Sequence, residues 1–194
     1  KNYDYTALLD STGMVRKLTD YWSVNRAQGK IENGEYMPKT YNSKWNRKKE
    51  SQKMVVTYAD DGAVENVELS AIKKPNPEFE DDLKNNTLDP VTTALSARNK
   101  IKTMVESGKQ LPASVKLPVF DAKRRFDVNL VVHGYKNIRV EGKERNLLHI
   151  SSKREPVAGF RKNELKRMDR QEPRIQVYLD ENFIPIWGYG KAKM

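Results

Sequence analysis

The sequence of 194 residues contains no cysteine and only two histidines, His133 and His149. Without cysteine the chain forms no disulfide, has no thiol nucleophile and cannot hold zinc through thiolates. A histidine acts as an acid, a base or a metal ligand only beside a convergent partner, and neither lies in an HxH or HExxH pattern. We therefore predict no catalytic residue, no metal site and no cofactor.

Long apolar runs are also missing, because no stretch approaches the roughly 20 residues that cross a bilayer as a helix. The first residue is Lys1 and not methionine. A removed signal peptide and a cloning boundary both explain such a start, and the sequence leaves both open.

Positive charge is abundant. Lysine and arginine number 36 and aspartate and glutamate 26, which gives a formal net charge of +10. A balance this basic favours anionic partners, such as nucleic acid, the head groups of phospholipid or lipopolysaccharide, or acidic proteins. A highly soluble, lysine-rich surface is the other explanation, and the charge alone does not decide between them.

The stretch Thr87–Gly108 predicts one α-helix in a sequence that otherwise has the patterns of β-strands. Asp89 suits the N-cap, because its carboxylate can accept hydrogen bonds from the free N–H groups of the first turn. Pro90 suits the first helical position, and Gly108 can end the helix in a left-handed conformation. Helical spacing relates the residues that we expect on one face: Val91, Ala94, Leu95, Arg98, Ile101, Met104 and Val105.

Strand patterns precede and follow this helix, bounded by turn signals such as Asn33-Gly34 and Asp60-Asp61-Gly62. Before the helix the predicted strands are Tyr3–Leu9, Lys17–Arg26, Tyr36–Trp45, Lys53–Ala59 and Ala63–Ile72. After the helix they are Val115–Phe120, Lys123–His133, Asn137–Val140, Asn146–Ser152, Val157–Phe160, Pro173–Asp180 and Phe183–Tyr189. Gly134 and Gly142 are expected to mark turns on either side of the short strand between them.

We predict one mainly β domain over residues 1–194, with a first meander at 1–72, a loop at 73–88, a central helix at 89–107 and a second β half at 108–194. A sheet of about ten to twelve strands curls or closes. The expected fold is a curved antiparallel sheet, or an incomplete barrel, packed around the one helix. The helix residues expected to contact the concave face are Val91, Leu95, Ile101 and Val105.

Charged residues are densest in the segment Asp121–Asp127, which contains Asp121, Arg124, Arg125 and Asp127. One hypothesis is a binding surface for an anion, because arginine donates paired hydrogen bonds to phosphate or carboxylate. The other hypothesis is structural: Asp121 caps a tight turn, and Arg125 and Asp127 share a strand face and pair with neighbouring strands. The structural hypothesis is favoured by the pattern.

Several of these segments resemble the proteobacterial envelope family called domain of unknown function 3108. The helix start Leu88–Leu95, the segment Pro118–Leu130 and the closing segment Pro173–Gly188 are similar to family motifs and occur in the family's order. Gly34–Trp45 is similar to the family's Gly–Pro–Tyr strand. The most specific shared motif is Phe-Asp-x-x-Arg-Arg-Phe-Asp, which here occupies Phe120–Asp127.

Two features depart from the family. Its members often carry cysteines around the Phe-Asp segment, and this chain has none. Ala122 stands where the family usually has a turn glycine. The resemblance implies export to the periplasm and a β-rich fold, and it implies no established reaction.

We therefore expect a non-enzymatic periplasmic protein of the cell envelope that acts as a binding or scaffold module. Its expected partner is an anionic lipid or another envelope component, including another envelope protein, and its ligand could be hydrophobic. The alternative is a basic surface that binds an anionic polymer, either nucleic acid or lipopolysaccharide. Nucleic acid is the less expected of the two, because an exported protein does not meet it.

Overall fold

The computed structural model describes residues 1–12, 20–48, 50–70, 75–170 and 175–190. In this part of the chain ten β-strands, two α-helices and one 3₁₀ turn occur. The strands are β1 (Asn2–Asp10), β2 (Tyr21–Glu32), β3 (Glu35–Arg47), β4 (Glu50–Tyr58), β5 (Val64–Leu69), β6 (Ala113–Phe120), β7 (Arg125–Val140), β8 (Lys143–Ala158), β9 (Ile175–Leu179) and β10 (Pro185–Gly190). The helices are α1 (Pro90–Glu106) and α2 (Lys162–Arg170), and the 3₁₀ turn is Asp81–Lys84.

The strands form two antiparallel sheets. Sheet A has the order β1-β2-β3-β4-β5, and sheet B has the order β10-β9-β8-β7-β6. Each sheet is a meander in which strands that follow one another in sequence also pair in space. The prediction of a mainly β chain is confirmed, but the prediction of one curved sheet or incomplete barrel is wrong, because the strands on either side of α1 belong to separate sheets that do not close.

The segment before α1 connects the two sheets through its backbone. Asn86 N–H donates to the carbonyl of Gly62, in the β4–β5 turn of sheet A, at 2.9 Å. Two residues later, Leu88 exchanges hydrogen bonds of 2.9 Å with Pro118 and Phe120 of β6 in sheet B. The chain thus changes sheets while keeping its backbone groups paired, as buried peptide groups require.

Two of the predicted strand boundaries are wrong, and a glycine explains the first of them. Gly134 does not end a strand: β7 continues through a bulge between Val132 and Gly134, where Gly134 adopts a φ of +113°. The second is the predicted gap between Asn146–Ser152 and Val157–Phe160, which β8 crosses without a break before it ends at Ala158. Glycine in a strand can mark a bulge as readily as a turn, and the sequence pattern does not separate the two.

Helix α1 begins and ends as its sequence predicts. The Asp89 carboxylate accepts from the backbone N–H groups of Val91 at 2.8 Å and Thr92 at 2.9 Å. Pro90 occupies the first helical position. At the other end Gly108 has a φ of +70° and donates its N–H to the carbonyl of Val105.

Three consecutive polar residues of α1 fasten the helix to the turns of both sheets. Arg98 donates to the carbonyls of Asn182 at 2.8 Å and Phe183 at 3.2 Å in the β9–β10 turn of sheet B. Asn99 donates to the carbonyl of Gly34 at 2.8 Å in the β2–β3 turn of sheet A. Lys100 pairs with Glu35 at 2.5 Å beside the same turn.

Helix α2 is absent from the sequence prediction. Its residues Leu165 and Met168 pack against a small cluster formed by Val119, Phe126 and Phe160. Glu164 accepts a hydrogen bond of 2.8 Å from the backbone N–H of Arg161, which is half of a capping box. Leu165 and Met168 have helical spacing in the sequence, but they are two apolar residues in a highly charged segment and do not by themselves predict a helix.

Parts of three predicted strands lie outside the described residues. They are the start of Lys17–Arg26, the end of Ala63–Ile72 and the start of Pro173–Asp180. Within the described ranges, neither α-helix has the length and apolar character needed to cross a membrane.

Candidate functional site

The charged segment Asp121–Asp127 forms the turn between β6 and β7. Asp121 Oδ1 accepts from the backbone N–H groups of Lys123 at 3.1 Å and Arg124 at 2.9 Å, which closes the turn. Ala122 has a φ of +70°, the left-handed conformation that explains a glycine at this place in the family. The turn packs against sheet A, since Phe120 and Ala122 are buried in the cluster that contains Tyr41 and Val56.

The four residues proposed as an anion site are engaged with one another and with neighbours. Arg124 pairs with Asp121 at 3.0 Å and with Glu164 of α2 at 3.3 Å. Arg125 pairs with Asp127 at 2.7 Å, and Asp127 also receives Lys116 at 2.8 Å. Both arginines already face carboxylates in the folded chain, and Arg125 pairs within its own strand and not with a neighbouring one.

Two of the acidic partners, Asp127 and Glu164, have lowered pKa values. Burial acts to raise the pKa of Asp127, but hydrogen bonds from Lys116 and Arg125 outweigh it and hold the pKa below its ordinary value. Burial likewise opposes ionisation of Glu164, and hydrogen bonds from Arg161 outweigh it. Both carboxylates are therefore ionised at neutral pH and neutralise the arginines beside them.

Lys123 belongs to the same turn but is not among the four residues predicted as an anion site. Its ammonium group donates to Gln52 Oε1 of β4 and lies 5.8 Å from the centre of the Trp45 ring. Burial lowers the pKa of Lys123, and the nearby Arg124 lowers it further. Within the described residues no carboxylate oxygen lies within 4.0 Å of its nitrogen, in contrast to the arginines that follow it.

Lys123 lies on the wall of a groove of about 570 Å³, which we call the β5 groove. One wall is the edge strand β5, the second is the segment Pro75–Lys84, and the third is the β6–β7 turn. Its apolar lining consists of Val67, Leu69, Pro75, Pro77, Phe79, Phe120 and Ala122. Its charged lining consists of Glu78, Glu80, Asp81, Lys84 and Lys123.

Aromatic packing forms the floor of the β5 groove. The rings of Phe79 and Phe120 meet edge to face with centres 6.2 Å apart. Lys84 lies over the ring of Phe79 at 5.4 Å and pairs with Asp81, so its charge is neutralised at the rim. The volume lies within the usual range for small-molecule sites, and the lining combines seven apolar residues with five charged ones.

The four helix residues expected on one concave face divide between two clusters. Val91 and Leu95 pack against the cluster of sheet A that includes Tyr41 and Val56. Ile101 is buried and Val105 is partly buried in the cluster of sheet B, together with residues such as Leu148. The helix therefore turns its first half towards one sheet and its second half towards the other.

The predicted helical stripe missed a buried polar cluster at the start of α1. Asp89 and Thr92 are fully buried, whereas Ala94 of the predicted stripe is exposed. Thr92 donates its hydroxyl proton to Asp89 at 2.5 Å and accepts from the Tyr3 hydroxyl at 2.9 Å. Burial raises the pKa of Asp89 to about 6, against the hydrogen bonds that favour its ionised form.

The two histidines converge in space although they are distant in sequence. His133 and His149 stack on the face of sheet B with ring centres 4.6 Å apart, and Tyr178 stacks on His149 at 4.8 Å. Ser151 and Gln176 are their hydrogen-bond partners, at 2.7 Å and 2.5 Å. In the described part of the chain no group of three or more His, Asp or Glu side chains is placed to hold a metal ion.

The fold and the groove define a mainly β protein of two antiparallel five-stranded sheets, with an apolar groove at the edge of one sheet. Residues 1–187 match the model of the family described as "Protein of unknown function (DUF3108)". The chain belongs to this family, as the motifs in Leu88–Leu95 and Phe120–Asp127 indicate. Comparisons with curated proteins and with solved structures give no match.

Proposed function

We propose that this chain is a non-enzymatic protein of the cell envelope, exported to the periplasm, that binds a hydrophobic ligand in the β5 groove. The observation that supports the proposal most directly is the groove's apolar lining at the edge of sheet A. Leu69 lies on the β5 wall, and its side chain is 38% exposed although β5 pairs with β4. Covering such surface with an apolar ligand releases water and favours binding.

The shape of the groove supports a ligand in preference to a flat protein contact. Its floor is made of packed rings from Phe79 and Phe120, so the floor holds its form without a ligand. Asn76 donates to the carbonyl of Gly159 at 2.7 Å and fixes the outer wall to the end of β8. A preformed concave site loses little conformational entropy on binding.

Recovery of a bound molecule tests the proposal. The purified protein is examined by native mass spectrometry and by extraction and mass spectrometry of lipids. The expected result is a co-purifying hydrophobic compound that is lost in Leu69→Gln, which places an amide on the groove wall. Val24→Gln is the matched control, because Val24 is 37% exposed on a strand of the same sheet and does not line the groove.

Two results would contradict the proposal. One is the absence of any bound compound together with no binding of added acyl compounds, which would leave a role as a protein scaffold. The other is equal loss of the compound from both variants, which would place the ligand elsewhere.

Export is tested separately. The complete gene product, fused to a reporter that is active only in the periplasm, is expected to give activity after expression in bacteria. A fusion that is produced but leaves the reporter inactive would contradict the envelope location, and it would restore nucleic acid as a partner for the basic surface. In that case binding to DNA should weaken steeply as salt is added.

A further inference from the structure

We infer that the ligand of the β5 groove is an amphiphile with one anionic head group, which the ammonium group of Lys123 binds. This inference rests on the proposed function and adds the chemical class of the ligand. The apolar lining would take the acyl tail, and Lys123 would take the head at the end of the groove formed by the β6–β7 turn.

The balance of charge around the turn supports a single negative charge. The ionised groups that act on Lys123 are the cations Arg124 and Arg161 and the carboxylates of Asp121 and Glu164. With Lys123 itself the cluster holds three cations and two carboxylates, so one positive charge is not compensated inside the cluster. Both arginines are in ion pairs with these carboxylates, which leaves the excess charge on Lys123.

The position of Lys123 favours binding of an anion. Its side chain is half-buried against Trp45. Among the described residues, the one hydrogen-bond acceptor of its ammonium group is the neutral oxygen of Gln52. A half-buried ammonium group gains more from an anionic partner than one in water, because the local dielectric is lower. Hydrogen bonds between charged groups are about twice as strong as neutral ones.

The rim of the groove argues against a strongly charged ligand. Glu78, Glu80 and Asp81 are exposed at the rim, and only Asp81 among them has a cationic partner among the described residues, Lys84. Their charge opposes the entry of a head group with several negative charges. A carboxylate, or a phosphate ester with one charge, fits the groove better.

Calorimetric titration of the whole chain tests the inference with three probes whose alkyl tails are of nearly equal length. Decanoate and decyl phosphate carry an anionic head, and decyl glucoside carries a neutral one. We expect decanoate to bind about tenfold or more tightly than decyl glucoside, which is the discrimination expected for a hydrogen bond between charged groups. The arm with decyl phosphate distinguishes a carboxylate head from a phosphate head.

The variant Lys123→Gln is expected to abolish the preference for the anionic heads, so that decanoate and decyl phosphate bind no more tightly than decyl glucoside. Glutamine keeps a donor for Gln52, so the buried amide of Gln52 is not left without a partner. Lys123→Met is the second variant, and circular dichroism checks that both fold. Lys102→Met is the charge control, because Lys102 lies on α1 and does not line the groove.

The outcomes separate the inference from the proposed function. Equal binding of all three probes, in the natural chain and in Lys123→Gln alike, would overturn the anionic head and leave the hydrophobic groove in place. No binding of any probe would overturn both. A preference for decanoate that survives in Lys123→Gln would assign the head to another residue and contradict the role of Lys123.

Discussion

Individual residues at the start of α1 show how burial changes ordinary chemistry. Asp89 is a good N-cap by sequence, and the structure confirms that role. The sequence does not reveal that this carboxylate is fully buried beside Tyr3 and Tyr58, whose phenol pKa values burial raises. The Tyr58 hydroxyl and Ser96 Oγ are buried without a hydrogen-bond partner in the described part of the chain.

The raised pKa of Asp89 makes stability depend on pH. The folded chain holds this proton up to about pH 6, whereas the unfolded chain loses it near 3.8. Between these values the folded state binds more protons, so the free energy of unfolding falls as the pH rises. At about 1.4 kcal/mol per pH unit the loss amounts to about 3 kcal/mol and is complete above about pH 6.

The variant Asp89→Asn is expected to flatten this dependence and to be the more stable form at pH 7. Asparagine also caps helices well and carries no charge to bury. Urea unfolding between pH 4 and pH 7, followed by circular dichroism, measures the difference. Parallel pH profiles for the two chains would show that Asp89 is ionised throughout this range.

Residue types alone predicted the capping role of Asp89 and the turn at Asp121, because both depend on neighbours in sequence. The role of Lys123 could not be predicted in the same way. Its contacts with Gln52 and Trp45 join residues more than 70 positions apart, across two sheets. The available signal was its place in the Phe-Asp-x-x-Arg-Arg-Phe-Asp motif, in which the anion hypothesis rested on the two arginines.

At the scale of elements, α1 is the connection between the sheets. Its apolar residues pack on both sheets, and its polar residues Arg98 and Asn99 bind the turns at the β9–β10 and β2–β3 hairpins. Helical periodicity predicted the helix and two of its buried residues, Ile101 and Met104. It could not predict that the buried face begins with Thr92, Thr93 and Ser96, since those side chains are polar and their burial depends on Tyr3 and Asp89.

Arg98→Ala is expected to lower the free energy of unfolding by about 1–2 kcal/mol, because the carbonyls of Asn182 and Phe183 lose a charged donor. Chemical denaturation measures the change. Lys102→Ala on the same helix is the control: its ion pair with Glu106 at 3.8 Å is exposed and should contribute less than about 0.5 kcal/mol. Equal effects of the two substitutions would mean that Arg98 does not fasten the hairpin.

Gly159→Ala is expected to destabilise the fold by about 2–4 kcal/mol, the sum of left-handed strain and overpacking. Gly159 has a φ of +76°, and a methyl group there would lie 2.3 Å from the carbonyl oxygen of Lys123 and 2.7 Å from Phe79. Gly108→Ala separates the two causes, because Gly108 has a φ of +70° and open space around it. Its expected loss is about 1–2 kcal/mol, for the backbone alone.

Thermal and chemical unfolding of both glycine variants test this comparison. Equal losses would show that the wall of the β5 groove yields to the added methyl group, which would contradict a preformed groove. A larger loss in Gly159→Ala, together with weaker ligand binding, is the expected result.

At the scale of the whole molecule, the sequence predicted the fold class and the order of its parts. Alternating patterns identify the strands. Their order could be predicted as well, because each strand here pairs with a neighbour in sequence. The division into two sheets was not predictable from these patterns, since it depends on where the segment before α1 crosses from Gly62 to β6. In the described part of the chain β5 is the edge strand of sheet A, and the β5 groove lies along it.

Part of the net charge of +10 lies around the β6–β7 turn. Arg124 and Arg125 in the β6–β7 turn are paired with carboxylates, whereas Lys123 has no carboxylate partner among the described residues and lines an apolar groove. We therefore attribute the basic balance in this region to a small anionic ligand rather than to a polymer.

The location of a bound tail tests the central claim most directly. Crystals of the natural chain are soaked with ω-bromodecanoate, and anomalous diffraction locates the bromine atom at the end of the tail. The account predicts a bromine peak in the β5 groove beside Val67, Leu69 and Phe79, with the carboxylate at Lys123. A peak between α1 and either sheet, or a protein that binds the probe with its bromine outside the groove, would contradict it.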